Sequence, residues 1–488
     1  MPYVIGVDVG SQSIKAVLVD DSGSVKATAA APLAMNHPAN GCAEQSPADW
    51  VTQLTAAVRE VAAQAHGDVE VIGLASQVDG VVLVDAKLTP MHDALIWLDR
   101  RAVTQAAAFA ERAGHDELFA STGLNADASH GTPKMMWLRE HRADAWAQTR
   151  WLLPVGGYLV AWLTGVCVQD PANASSTMLY DLASGDYSDA LCAAADLDRA
   201  MLPPVASATS VAGTLTREAA ASLGLSTECR VVVGTGDEHA ASLAAGVAGP
   251  GVIADVTGTA EPVTSASREV VLDATHLVET HAHAIDGVFL IENPGFVSGG
   301  STLWLAKLLQ RPQSDIFELA RQAPPGSGGV TFVPALTGAM TPRWNAEMRG
   351  CFSGLSINHG QEHLARAVLE GCAFAVRDVV DRLDAMGLAG DEVRIVGGGG
   401  RSELWNQIKA NVLGRPVRRV LSKEGCALGG AMLAGVAAGF FADVPDAIDH
   451  TVEISDEQIV PDADLVATYA ASYDSYRRLY FAVEGAAQ

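Results

Sequence analysis

A short pattern stands twice in the chain, half a chain length apart. Val4-Ile5-Gly6-Val7-Asp8-Val9-Gly10-Ser11 is echoed, weakly, by Val252-Ile253-Ala254-Asp255-Val256-Thr257-Gly258-Thr259. Each copy is an apolar strand carrying an Asp near its end and running into a Gly-Ser/Thr turn. Such an echo predicts two related halves, and the Ala/Gly-rich stretch that leads to Gly251 reads as the hinge between them, which sets the domain boundary near residue 245: 1–245 and 246–488. The 488 residues are ample for two domains with buried cores.

Around the first copy, Ile14–Val19 reads as a second strand closed by the polar turn Asp20-Asp21-Ser22-Gly23. Ser46-Pro47-Ala48-Asp49 supplies a cap, a proline at the first helical position and an acid in the first turn, predicting a helix towards Ala65. Thr132-Pro133 predicts the start of another. In the second half, Leu364, Val368, Val376, Val379, Val380 and Leu383 make a helical stripe that stops at Gly387. Val393–Val396, Gly397–Gly400 and Ser402–Leu413 then form a strand–glycine–helix element.

Charge decides the partner class. With 57 Asp+Glu against 32 Lys+Arg, the net charge of −25 repels phosphodiester backbones and anionic headgroups, and no local basic patch offsets it. Nucleic acid and membrane are not expected partners, which leaves small molecules; a homodimer remains open. Seven scattered cysteines fit a reducing compartment, and the N-terminus lacks a secretory pattern, so a cytoplasmic protein is expected. The uncharged run Ala427–Ala442 is too short and too rich in Ala and Gly for a bilayer span, and reads as a buried helix.

Two Gly-Ser/Thr turns can present backbone N–H groups and the hydroxyls of Ser11 and Thr259 to phosphate oxygens. Asp8 then suits Mg²⁺, a hard ion that shares few carboxylates with nucleotide phosphates. Asp237, between Gly236 and Glu238 after the apolar run Arg230–Val233, suits the carboxylate that accepts a hydroxyl proton during phosphoryl transfer; a solvated turn acid is the plain alternative. The four-glycine turn matches no Walker motif. His276, Glu279, His281 and His283 are not spaced as His-Glu-x-x-His, and no metal site is expected from them; His281 and His283 should share one face of a strand.

Taken together, Gly6–Ser11, Gly234-Thr-Gly-Asp237, Thr257–Thr259, Phe332–Gly338 with Thr341-Pro-Arg-Trp344, and Gly398-Gly-Gly-Arg-Ser402-x-x-Trp405-Asn406-Gln407 resemble the FGGY carbohydrate kinase family in order and spacing, xylulose kinases within it above all. Ala174–Leu182 through Leu202-Pro203 extends the likeness over nearly the whole chain. That resemblance implies an α/β fold of two actin-like, ribonuclease-H-like domains with a central interdomain cleft, closing on MgATP and a sugar. It implies Asp237 as catalytic base and Asp8 near the metal. It also implies Thr257, Gly258 and Thr259 at the phosphates, Gly398, Gly399 and Asn406 at the adenosine, and Gln77, Asp79, Trp97 and Asp99 at the sugar, with Glu238 beside them.

The chain departs from the xylulose-kinase pattern where Gln77-Val78-Asp79-Gly80 replaces Gln-Met-His-Gly, where Glu238 replaces Asn, and where Gly131 stands three before Lys134. These departures fall on the sugar side. The expected reaction is ATP-dependent phosphorylation of a ketopentose, D-xylulose foremost. The alternatives are ribulose, erythritol or glycerol kinase, an actin-like ATPase switch, and a non-catalytic sugar-binding protein.

Overall fold

The structure, a computed structural model, describes residues 2–487. It divides into two compact units. One takes in the chain up to Ala248 with Thr280–Leu290 and Ser422–Val452; the other takes in Gly249–Glu279, Ile291–Leu421 and the chain from Glu453 on. The units therefore do not follow the two halves of the chain, because two later segments pack with the first.

In the first unit, Tyr3–Val9 pairs antiparallel with Ser13–Asp20, which pairs with Val25–Pro32. On its other side Tyr3–Val9 runs parallel to Val69–Ser76, followed by Arg230–Val232 in parallel and Val211–Thr214 in antiparallel. In the second unit the same arrangement returns. Val252–Val256 pairs antiparallel with Ala260–Ser267 and parallel with Glu392–Val396, then come Val417–Val420 in parallel and Ile454–Ile459 in antiparallel. A hairpin whose first strand also begins a parallel run, ending in an antiparallel strand, is the actin-like, ribonuclease-H-like plan, and the sequence echo sits on its first strand in both units.

Period-two alternation explains how the first strand is buried on both faces. Ile5, Val7 and Val9 face the helix Pro47–Ala62, joining Trp50, Leu54, Val58 and Val61 in one core. Val4 faces the other way, with Val71, Ala427, Ala431 and Met432. Here the helix Gly425–Ala438 lies so close that a Cβ at Gly6 would stand 2.0 Å from the Ala427 carbonyl oxygen, and one at Gly73 2.0 Å from that of Gly430. The Ala/Gly run is thus a buried helix of a packed domain; no helix among the described residues is long and apolar enough to cross a membrane.

Local expectations hold with small shifts. The first helix is capped by Ser46, has Pro47 at its first position and ends at Ala62. Thr132 and Pro133 lie inside the helix Gly131–His141, which His130 precedes. Gln361–Ala385 is one helix, with Leu364 only half-buried, and Gly387 takes a positive φ just beyond it.

Candidate active site

The strand ends and turns singled out in the sequence come together within each unit. In the first, Asp8 lies near the end of the leading strand, opposite Lys15. Asp237 opens the helix Asp237–Ala244, with Gly236 as its cap, so it is a helix-terminal acid rather than a loop acid. Its Oδ1 accepts a hydrogen bond from the Glu238 amide at 2.9 Å. A helix start favours an anion, but burial outweighs that help: removal from water pushes Asp237 up to about 6, with the Asp79 carboxylate adding to the rise. Burial first, then the Asp237 carboxylate, push Asp8 up to about 7, against the pull of Lys15. Two desolvated carboxyls that repel each other form a site for something cationic or proton-bearing.

Asp8 Oδ1 is buried and has no hydrogen-bond partner. A hard anionic oxygen left open in this way fits Mg²⁺, which takes oxygen ligands and keeps several waters. Lys15 is engaged elsewhere, with its Nζ 3.0 Å from Glu424 Oε2.

The residues expected at the sugar share this unit. Gln77 is buried and donates through Nε2 to Gln45 Oε1 at 2.8 Å, while Gln45 donates to the Ser11 carbonyl at 2.8 Å. Asp79 takes a positive φ and lies 3.1 Å from His130 Nδ1. Its basic partner is therefore His130. Arg100 pairs instead with Asp127, and Arg101 with Asp99 and Glu44. Asp99 is fully buried and also accepts from the Ala43 amide at 2.7 Å, which makes it part of an internal ion cluster. Trp97 is 43% exposed, a flat ring open to solvent.

Sequence reasoning passed over Lys134. It is fully buried and donates to the carbonyl oxygens of Asp79, at 2.8 Å, and Ser129. Burial lowers it to about 8. It fixes the backbone of the loop that carries Asp79. Its sequence neighbours Pro133 and Met135 are apolar, but nothing local names the two carbonyl oxygens it serves.

A second cluster joins residues that the sequence left apart. His281 belongs to the strand Glu279–Ala282, and His283 follows it. Both rings meet His239 edge-on, with centroids 5.7 Å and 6.1 Å away. All three imidazoles are buried, and burial holds each below its usual range, His281 and His283 at about 4. Among the described residues it is Glu238, His239 and His281, not the group His276, Glu279, His281 and His283, whose ligand atoms converge.

In the second unit, the echo's turn and the four-glycine turn are neighbours. Gly399 donates its amide to the Thr257 carbonyl at 3.1 Å, and Gly397 takes a positive φ where a Cβ would stand 2.9 Å from the same carbonyl oxygen. Gly258 and Thr259 are exposed, and a Cβ at Gly398 would meet nothing within 4 Å. Here is an open, glycine-lined surface that a nucleotide's phosphates and ribose could approach closely. Thr257 is different: its hydroxyl turns inward to Asp255 at 3.1 Å, Glu261 at 3.0 Å and Lys409 Nζ at 2.6 Å. Lys409 also reaches Asp255 Oδ2 at 2.6 Å and the Glu261 carboxylate, all fully buried. Burial and the adjacent Glu261 carboxylate push Asp255 up to about 8. Asn406 is buried on the helix Glu403–Leu413 and donates to the Gly400 carbonyl at 2.8 Å, pinning the glycine turn.

Known proteins align with the chain as this geometry leads one to expect. Residues 3–244 match the N-terminal domain of the FGGY family of carbohydrate kinases, and residues 230–438 its C-terminal domain. The chain is 30% identical to a xylulose kinase of Escherichia coli over 98% of each chain, and 31% identical to a glycerol kinase of Aromatoleum aromaticum over 92% of this chain and 93% of that one. A solved xylulose kinase structure from Brucella ovis superposes with a TM-score of 0.93 at 28% identity, covering 99% of both chains. The chain belongs to the FGGY family of carbohydrate kinases.

Proposed function

We propose that the protein transfers the terminal phosphoryl group of ATP to a hydroxyl of a ketopentose, D-xylulose foremost, with Asp237 as general base. The observation that carries this reading is Asp237 itself: a desolvated carboxylate at a helix start, raised to about 6, beside a second carboxylate with an open oxygen. Deprotonated at neutral pH, it takes the proton of the attacking hydroxyl. The hydroxyl oxygen forms a bond to phosphorus as the bond to ADP breaks, and the proton leaves on Asp237. Asp8 would hold Mg²⁺, which supplies charge neutralisation at the phosphates.

The first unit is read as the sugar side, with Gln77, Asp79, Trp97, Asp99 and Glu238 around the acceptor and Ser11 at the phosphates. The second is read as the nucleotide side. Gly258 and Thr259 would meet the phosphates, Thr257 would hold their turn from within, and Gly398, Gly399 and Asn406 would shape the adenosine surface.

A second reading, a kinase of another neutral polyol such as glycerol, erythritol or ribulose, is favoured by Asp79. This carboxylate, oriented by His130, stands where xylulose kinases carry His, and the similar Aromatoleum protein is a glycerol kinase. Coupled ADP-release assays with D-xylulose, D-ribulose, erythritol, glycerol and gluconate decide between the readings. D-xylulose should give the highest kcat/KM, and gluconate should be rejected, because Asp79, Asp237 and Glu238 crowd carboxylates at one site. Higher kcat/KM on a polyol would establish the second reading, efficient turnover of gluconate would remove the charge argument, and ADP release independent of any sugar would point to an ATPase switch.

A further inference from the structure

Nothing in phosphoryl transfer requires two buried imidazoles beside the base. His239 is fully buried, and neither of its ring nitrogens closes a hydrogen bond, although the Ala282 backbone bears on the ring. Burying a polar ring without partners is costly, and folded chains avoid it unless something else satisfies the group. Its neighbour His283 shows the ordinary solution, with Nε2 3.0 Å from the Ser242 hydroxyl and Nδ1 accepting from the Ile285 amide at 3.2 Å. His239 instead points Nδ1 towards Glu238 Oε1, 3.8 Å away. Donor atoms of Glu238, His239 and His281 all lie within 4.8 Å of one another.

We infer that Glu238, His239 and His281 bind a borderline divalent transition ion of the zinc class. Two imidazoles and one carboxylate are a ligand set that zinc accepts, and three protein ligands leave a coordination position for water or a hydroxyl. Imidazole nitrogen also separates this site from the one proposed at Asp8, since Mg²⁺ prefers oxygen throughout. Zinc–ligand bonds of about 2.0–2.2 Å place tetrahedral donors roughly 3.3 Å apart. The donors therefore need to draw in by at most about 1.5 Å, within the reach of side-chain rotation for Glu238, which is only half-buried. The helix Asp237–Ala244 and the segment around His281 would be tied together by such an ion.

Equilibrium dialysis of the full chain against Zn²⁺ in excess Mg²⁺, without sugar or nucleotide, tests this independently of the kinase reading. About one equivalent should be retained after metal analysis, and Glu238→Gln and His281→Gln should each weaken retention by about tenfold or more. Co²⁺ in the wild-type chain should give a visible spectrum of nitrogen and oxygen ligation without a thiolate band, a readout that stands if a variant fails to fold. Retention well below one equivalent, retention unchanged in the folded variants, or a thiolate band from the chain's cysteines would each overturn the inference.

Discussion

Asp237 and Lys134 show what burial does to single groups near the proposed acceptor site. Desolvation raises the acid and lowers the base, so both are brought towards neutrality, where proton transfer is most responsive. Asp237→Asn keeps the shape of the side chain and removes the proposed proton acceptor. It should reduce kcat by about 10² to 10⁴ while leaving nucleotide affinity in place, as read by steady-state kinetics and ATP titration. The wild-type enzyme should also lose kcat/KM as pH falls through about 6, by about tenfold per unit, because a base at Asp237, as proposed, must be deprotonated to act. A flat profile from pH 5 to pH 7 would mean that another group takes the proton. Of this candidate site, the placement of Asp8 near a strand end and of Asp237 after a glycine turn was legible in the sequence, because a strand running into glycine advertises itself. Lys134 and His130 were not: what matters in them is a long-range partner, the Asp79 loop, which no local pattern encodes.

At the scale of elements, strands, caps and the stripe on Gln361–Ala385 could be read directly, since periodicity and capping act within a few residues. The Ala/Gly run was legible as a buried helix, but its partner was not. Its glycines and alanines matter because they meet Gly6 and Gly73 across hundreds of residues of chain. Gly73→Ala should therefore destabilise the fold by about 3 kcal/mol or more, since the added methyl would meet backbone rather than a movable side chain. A denaturation midpoint equal to wild type would show that the helix can retreat. The histidines were grouped by their spacing along one strand, whereas the structure joins two of them to a helix from another part of the chain. Lys409 was missed for a related reason, as a charged residue between inward-facing Ile408 and Val412 passes for a surface position. Lys409→Met would leave the buried Asp255–Glu261 pair without its cation. It should cost about 3–5 kcal/mol in chemical denaturation at pH 7, towards the lower figure because Asp255, already raised to about 8, can keep its proton.

Across the whole molecule, the echo at residues 4–11 and 252–259 correctly announced two related sheets. What it could not announce is the chain's repeated return, because membership of a unit is decided by packing, not by sequence order. The backbone changes unit after Ala248, Glu279, Leu290, Leu421 and Val452. A fragment ending at Ala248 lacks the helix that covers Val4 and Val71. Such a fragment should sediment as aggregates or bind a hydrophobic dye strongly, and a monodisperse, dye-silent fragment would show that the uncovered face is tolerated. The same threading sets a timetable for biosynthesis. The covering helix Gly425–Ala438 is made about 190 residues after Ala248, so at about 5–20 residues per second the first sheet waits roughly 10 to 40 s on the ribosome with one apolar face open. Over that interval the nascent chain is a natural client for chaperones, and its yield in a cell should follow their supply more closely than the stability of the finished protein.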